Sequence, residues 1–238
     1  MSRSELRFEA SRSAGTVSAL LDRPDDARLL YVFAHGAGAG MRHAFMEALT
    51  AGLNARSIAT FRYQFAYVER GSARIDPQPV LLATVRNAVA AARAAAGDLP
   101  VIAGGKSMGG RMTSLAAAEA PLDGVRGIAF VGFPLHPAGA PGTARAEHLQ
   151  RVTVPMLFLQ GTRDALAGLD LLTPVTDALG TRAALHVVDG ADHGFAVLKR
   201  SGRTNAAVLD ELADTIASWS ATLAPATPST AVHHPEAT

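Results

Sequence analysis

The residues best suited to chemistry lie in Gly105-Lys106-Ser107-Met108-Gly109, a serine with glycine two positions before it and two after. A serine hydroxyl is a weak nucleophile at neutral pH. It needs a turn that exposes its oxygen, a base to take its proton and donors for the negative charge that develops. The turn is legible here. An apolar run at 100–103 enters the motif and an Ala/Met-rich segment leaves it, while Gly105, Gly109 and Gly110 remove the side chains that so tight a strand-turn-helix would crowd. Ser107 is then expected at the carboxyl edge of a sheet, near the positive end of the following helix.

A base and an orienting acid should follow later strands. Asp164 comes just after the run MLFLQ, in Gly161-Thr162-Arg163-Asp164, and His193 comes after LHVV, in Asp189-Gly190-Ala191-Asp192-His193-Gly194-Phe195. Taken singly, Asp164 reads as a turn aspartate and His193 as a loop histidine. Behind a serine elbow, in this order, they read as acid and base. Asp192 is the rival acid, ranked below Asp164 because a sequence neighbour seldom reaches its own histidine's Nδ1. Two backbone N–H groups are needed for a developing oxyanion. Met108 follows the nucleophile, and Ala37 is the choice within Ala34-His35-Gly36-Ala37-Gly38-Ala39-Gly40, with Gly38 as the alternative. His35 is read as a structural hydrogen-bonding residue, and His43, His136, His148 and His186 as surface or core histidines.

Two phosphate-binding readings fail. Gly105-Lys106-Ser107 copies the end of a P-loop, but the glycine required five residues earlier is Pro100, which has no N–H. The run Gly36 to Gly40 puts Met41 or His43 where a dinucleotide fingerprint needs its third glycine. Gly38, Lys106 and Arg111 are the candidate substrate contacts. Arg111 lies in the first turn of the helix after the elbow, where a cation opposes the helix dipole, so it is expected either in an ion pair or docking a substrate carboxylate. Lys106 has the same two readings.

Apolar runs at 6–10, 16–20, 29–33, 57–61, 100–103, 127–133, 156–159 and 184–188 are expected as strands, and 42–54, 79–96, 108–120, 170–179 and 204–223 as helices. Strands that alternate with helices predict an α/β domain over 1–223, with a mainly parallel sheet covered on both faces and the first two strands antiparallel at one edge. The stretch 62–79 is left without an element. Its Tyr63, Phe65, Tyr67 and Arg70 are expected either to wall a pocket or, in the preferred reading for the aromatics, to pack beneath the loop. Beyond Ala224 the composition is Pro, Ser, Thr and Ala, including His233 and His234, and residues 224–238 are read as a disordered tail.

The 238 residues, 48% hydrophobic and 18% charged, suffice for one substantial core. Lys plus Arg at 22 against Asp plus Glu at 21 leaves +1, no field for holding nucleic acid. No apolar run approaches the roughly 20 residues of a membrane span, and no apolar segment follows the N-terminal basic residues, so a cytoplasmic setting is expected. With no Cys, thiolate chemistry is excluded. The expectation is a cofactor-free and metal-free site for a small-molecule substrate. Oligomeric state is left open.

These residues together resemble an α/β-hydrolase of the small dienelactone-hydrolase-like group, over about Leu6 to Ala221. The motifs that carry the resemblance are AHGAG at 34–38, GGKSMGGRM at 104–112, GFPLHPAG at 132–139, QGTRD at 160–164 and DHGF at 192–195. They are most similar to the branch that includes testis-expressed protein 30 and the hydrolase-like third subunit of the non-specific lethal acetyltransferase complex. The resemblance implies the α/β-hydrolase fold and the chain order Ser, Asp, His. It also implies cleavage of an ester, thioester or lactone through an acyl-enzyme. Dienelactone hydrolase itself uses cysteine where this chain has Ser107, and some relatives serve as partners more than as enzymes, so an idle scaffold is the competing expectation. Only twenty or so Pro- and Gly-rich residues separate Phe133 from Val154, which predicts a small cap or none.

Overall fold

Aliphatic runs bounded by turn residues form strands shielded on both faces. Every residue of Leu29–Ala34 (β3), Ile58–Tyr63 (β4) and Met156–Gly161 (β7) is buried. The computed structural model describes residues 1–223, and the stretch read as a disordered tail lies outside the described residues. The remaining strands are Ser2–Ser11 (β1), Gly15–Arg23 (β2), Val101–Lys106 (β5), Val125–Val131 (β6) and Ala183–Val188 (β8). They form one eight-stranded sheet in the order β1-β2-β4-β3-β5-β6-β7-β8. From β4 to β8 all pairs are parallel. The polar hairpin β1-β2 adds antiparallel at the edge, as expected.

Helices cover both faces. Gln78–Ala96 (α3) and Met108–Glu119 (α4) pack on one, around Val32, Phe61, Val85 and Met112. A 3-10 helix at Ala144–Arg151 and Leu169–Ala178 (α5) extend that layer over Phe130 and Phe158. Ala44–Asn54 (α1) and Asn205–Ala221 (α6) cover the other face. Val208, Leu212 and Ile216, spaced one turn apart, insert against Leu157 and Leu159. Each such side chain contributes about 1.5–3 kcal/mol by leaving water. No helix among the described residues is long and apolar enough to cross a membrane.

The stretch 62–79 departs from expectation. Arg62 and Tyr63 continue β4, and Ala66–Glu69 (α2) interrupts the loop. A strand can hold a fully buried arginine here because Arg62 meets Asp22 at 2.7 Å, Glu47 at 2.7 Å and the Met41 carbonyl at 2.9 Å. Tyr63, Phe65 and Tyr67 are buried in the core beside Leu81 and Leu82, and Arg70 pairs with Asp76. They pack and do not wall the cavity at the serine. Between β6 and β7 there is no inserted helical cap, only the proline-rich loop and the 3-10 helix lying against α4.

Candidate active site

β5 turns abruptly into α4 at Ser107, whose φ of +50° and ψ of −115° lie outside the conformations an L-residue prefers. Holding a serine there costs on the order of 1–3 kcal/mol. The turn closes only because two neighbours lack Cβ. A Cβ on Gly105 would stand 2.5 Å from the Ala34 carbonyl oxygen, and one on Gly109 would stand 2.6 Å from the carbonyl oxygens of Ala34 and His35. The segment that leaves β3 at Ala34 and His35 thereby presses against the elbow, as the run of small residues at 34–40 requires.

The structure brings Ser107, His193 and Asp164 together. His193 Nε2 lies 2.8 Å from Ser107 Oγ, and His193 Nδ1 lies 2.7 Å from Asp164 Oδ2. Asp164 follows β7 and is buried. It accepts from Gln160 Nε2 through Oδ2, and its Oδ1 accepts the Leu166 N–H at 2.8 Å, which fixes the carboxylate's orientation. Asp192 does something else. Its Oδ1 accepts the N–H groups of Gly194 and Ala196 at 2.8 and 2.9 Å, which folds the loop that carries His193.

Met108 N–H, at the open first position of α4, and Ala37 N–H have no protein acceptor among the described residues. The Gly38 N–H is taken by the Tyr67 hydroxyl at 3.1 Å. His35 is wholly buried. Its Nδ1 donates to the Gly36 carbonyl at 2.8 Å while Nε2 accepts the Phe65 N–H at 3.1 Å, and burial pulls its pKa down to about 4. It is a neutral brace for the loop.

Ser107 and His193 open on a cavity of about 370 Å³ walled by Gly36, Ala37, Phe45, Met46, Leu166 and Lys106. Phe45, Met46 and Leu166 carry no local signal for this role, because apolar residues on an amphipathic helix or in a turn read as core. His43 also lines the cavity, with Nδ1 accepting the Phe45 N–H at the start of α1. Lys106 is shielded, and its Nζ donates to the His193 carbonyl at 2.6 Å between the rings of Phe45 and Phe195. Desolvation, the largest influence, pulls its pKa down to about 8 against the attraction of Asp164 and Asp192. His136 Nδ1 meets the Pro137 carbonyl, His148 joins Ser114, and His186 joins Glu211. The ion pair considered for Arg111 is not formed. Its Nε is sealed from water without a partner, and its pKa is lowered first by burial and then by the charge of Arg145.

A mostly parallel sheet that delivers a serine on a strained turn, with a histidine and a carboxylate from later strands, defines the α/β-hydrolase class. A profile of the alpha/beta hydrolase domain matches residues 27–221, and the chain belongs to that family. Among solved structures it is similar to dienelactone hydrolase from Anabaena variabilis, at 20% identity and TM-score 0.72, covering 94% of this chain and 99% of that one. An esterase domain from Rhodothermus marinus matches at 18% identity and TM-score 0.70, covering 92% and 98%. A Xanthomonas campestris serine hydrolase described as having no lid matches at 19% and 0.70, covering 96% and 98%. These likenesses are of fold, and the fold supports a hydrolase function.

Proposed function

We propose that the chain is a serine hydrolase that cleaves a carboxylic ester, thioester or lactone through an acyl-enzyme on Ser107. The observation that carries this reading is the unbroken hydrogen-bond chain from Asp164 through His193 to a Ser107 that opens on a cavity. Neutral His193 takes the Ser107 proton as Oγ bonds the carbonyl carbon and the carbonyl electron pair moves to oxygen. Ala37 and Met108 N–H groups hold that oxyanion, and Asp164 stabilises the imidazolium. Collapse expels the alcohol or thiol with His193's proton, and water then repeats the sequence to release the acid. Each step uses side chains and backbone alone.

Within the family we place the chain with the dienelactone-hydrolase-like group, nearest the branch that includes testis-expressed protein 30, on the motifs at 34–38, 104–112 and 132–139. Its partner is a small-molecule substrate in a cytoplasmic setting. An idle scaffold would have no use for a strained Ser107 hydrogen-bonded to an oriented histidine. A fluorophosphonate probe tests the reading. Labelling at Ser107 that disappears in Ser107→Ala is the expected result, and labelling at another serine, or none, overturns it. Short p-nitrophenyl esters are expected to be cleaved without interfacial activation, since no cap covers the cavity.

A further inference from the structure

The loop that carries Ala37 is clasped by the segment that follows β4. Ala34 pairs with Tyr63 at the last register position of β3 and β4, so residues 35–41 and 64–67 leave the sheet side by side. Three hydrogen bonds join them: the Phe65 N–H donates to His35 Nε2 at 3.1 Å, the Gly38 N–H to the Tyr67 hydroxyl at 3.1 Å, and the Met41 N–H to Gln64 Oε1 at 3.0 Å. The clasping segment is itself anchored to β2. The Gln64 N–H donates to the Ser18 carbonyl at 2.9 Å, and Glu69, at the end of α2, accepts the N–H and the hydroxyl of Ser18 at 3.1 and 2.8 Å.

The middle bond falls on the turn where the oxyanion donor sits. The Ala39 N–H closes onto the Gly36 carbonyl at 3.2 Å, which puts Ala37 and Gly38 at the centre of a turn. Gly38 has a φ of +71° and Ala37 has no positive φ, the pattern of a type II turn. Rotation of the Ala37–Gly38 peptide is what separates that turn from type I, and it is this peptide's N–H that Tyr67 holds. The turn touches the nucleophile, since a Cβ on Gly36 would stand 3.7 Å from that of Ser107, and Ala37 and Ser107 line one cavity. Ala37 and Gly38 are themselves exposed, and glycines on both sides of Ala37 leave the backbone free to take other conformations. Tyr67 is the fixed partner. It is 1% exposed, with its ring 6.3 Å from that of His35 and 6.5 Å from that of Phe65.

A donor lowers the barrier only if it already points to where the oxyanion forms, and a mobile turn would have to be ordered at the moment of reaction. We propose that Tyr67 is a positioning residue of the oxyanion hole: by accepting the Gly38 N–H, its hydroxyl holds the turn in the one orientation that presents the Ala37 N–H to the carbonyl oxygen of a substrate attacked by Ser107. This rests on the hydrolase reading. Tyr67 does not line the cavity, so it acts through Gly38 and not on the substrate. Without the hydroxyl, water takes the Gly38 N–H and the turn is no longer tied to the core.

Tyr67→Phe removes the hydroxyl and keeps the packed ring. With p-nitrophenyl butyrate the variant is expected to lose about 10- to 100-fold in kcat with KM little changed, because the misplaced donor is missed only once the oxyanion forms. A trifluoromethyl ketone, whose adduct with Ser107 carries that oxyanion, should inhibit the variant more weakly by a similar factor. Tyr63→Phe is the control for packing. It removes a hydroxyl that makes no hydrogen bond among the described residues from the same buried cluster, and should leave kcat and ketone affinity nearly unchanged. Unchanged kcat and ketone affinity in Tyr67→Phe, a loss carried by KM alone, or an equal loss in Tyr63→Phe overturns the proposal. Wild type that neither cleaves the ester nor is labelled at Ser107 removes the hydrolase reading beneath it. Wild type that does both, with Tyr67→Phe unaffected, removes the role of Tyr67 alone.

Discussion

Lys106 Nζ reaches the backbone carbonyl of His193 at 2.6 Å, so the residue before the serine holds the residue that receives the serine's proton. The ammonium is wedged between Phe45 and Phe195, and it ties the end of β5 to a loop that follows β8. That placement carries an electrostatic cost, since it strips water from a cation whose pKa falls from 10.5 to about 8.

Lys106→Met should therefore trade activity for stability. Below pH 8 the folded protein bears the full cost of the buried charge. As pH rises from 8 to 10.5 the folded state has lost the proton while the unfolded chain still holds it, and the cost fades. Allowing for the lost hydrogen bond, the variant is expected to be more stable at pH 7 by about 1–3 kcal/mol, with the difference gone by about pH 10.5, while kcat falls. Urea unfolding at several pH values reads it. A variant less stable at pH 7 contradicts the desolvation account.

Loss of Ser107 or His193 should lower kcat by about 10⁴–10⁶, with Asp164→Asn costing somewhat less. Asp192→Asn should weaken the turn at Gly194 and Ala196 and lower activity only modestly. If Asp192→Asn is the inactive variant and Asp164→Asn retains activity, the acid has been misassigned. Ser107→Gly should be more stable than Ser107→Ala by about 1 kcal/mol, because glycine adopts φ +50° without strain.

Acid should unfold this protein through two buried histidines. His35 and His148 both have pKa values drawn down to about 4. The unfolded chain binds protons near pH 6.5 that the folded state refuses, so stability is full above that value and falls as pH drops toward 4. The loss should reach about 3 kcal/mol for each histidine. Replacing either by Gln should flatten the decline by its share in denaturant titrations between pH 7 and 4. An unchanged pH slope would show that the ring in question is protonated in the folded state.

Asp22→Ala should cost about 3–5 kcal/mol, since it strips the fully buried Arg62 of one of two carboxylates and leaves Arg3 with Glu47 alone. The paired replacement Asp22→Leu with Arg62→Met should recover much of that loss. Thermal unfolding distinguishes a charge penalty from a packing defect, because a double variant no better than the single points to packing.

The elbow, the helix behind it and the order of serine, aspartate and histidine are legible in the chain because each depends on a few consecutive residues. Glycines flank a serine, an aliphatic run precedes it, and a turn follows each later strand. Choosing Asp164 over Asp192 from sequence relied on the short reach between neighbours. The structure adds that Asp192 is spent on the backbone of its own loop, and that Gly38 gives its N–H to Tyr67. Arg62 could not be read as a strand residue, because its compensating carboxylates come from β2 and α1 through the register of the sheet. For the same reason Arg111 looked suited to an ion pair. Whether a charge finds a partner depends on which distant segments the sheet and helices bring alongside it, and that is a property of packing that no local pattern carries.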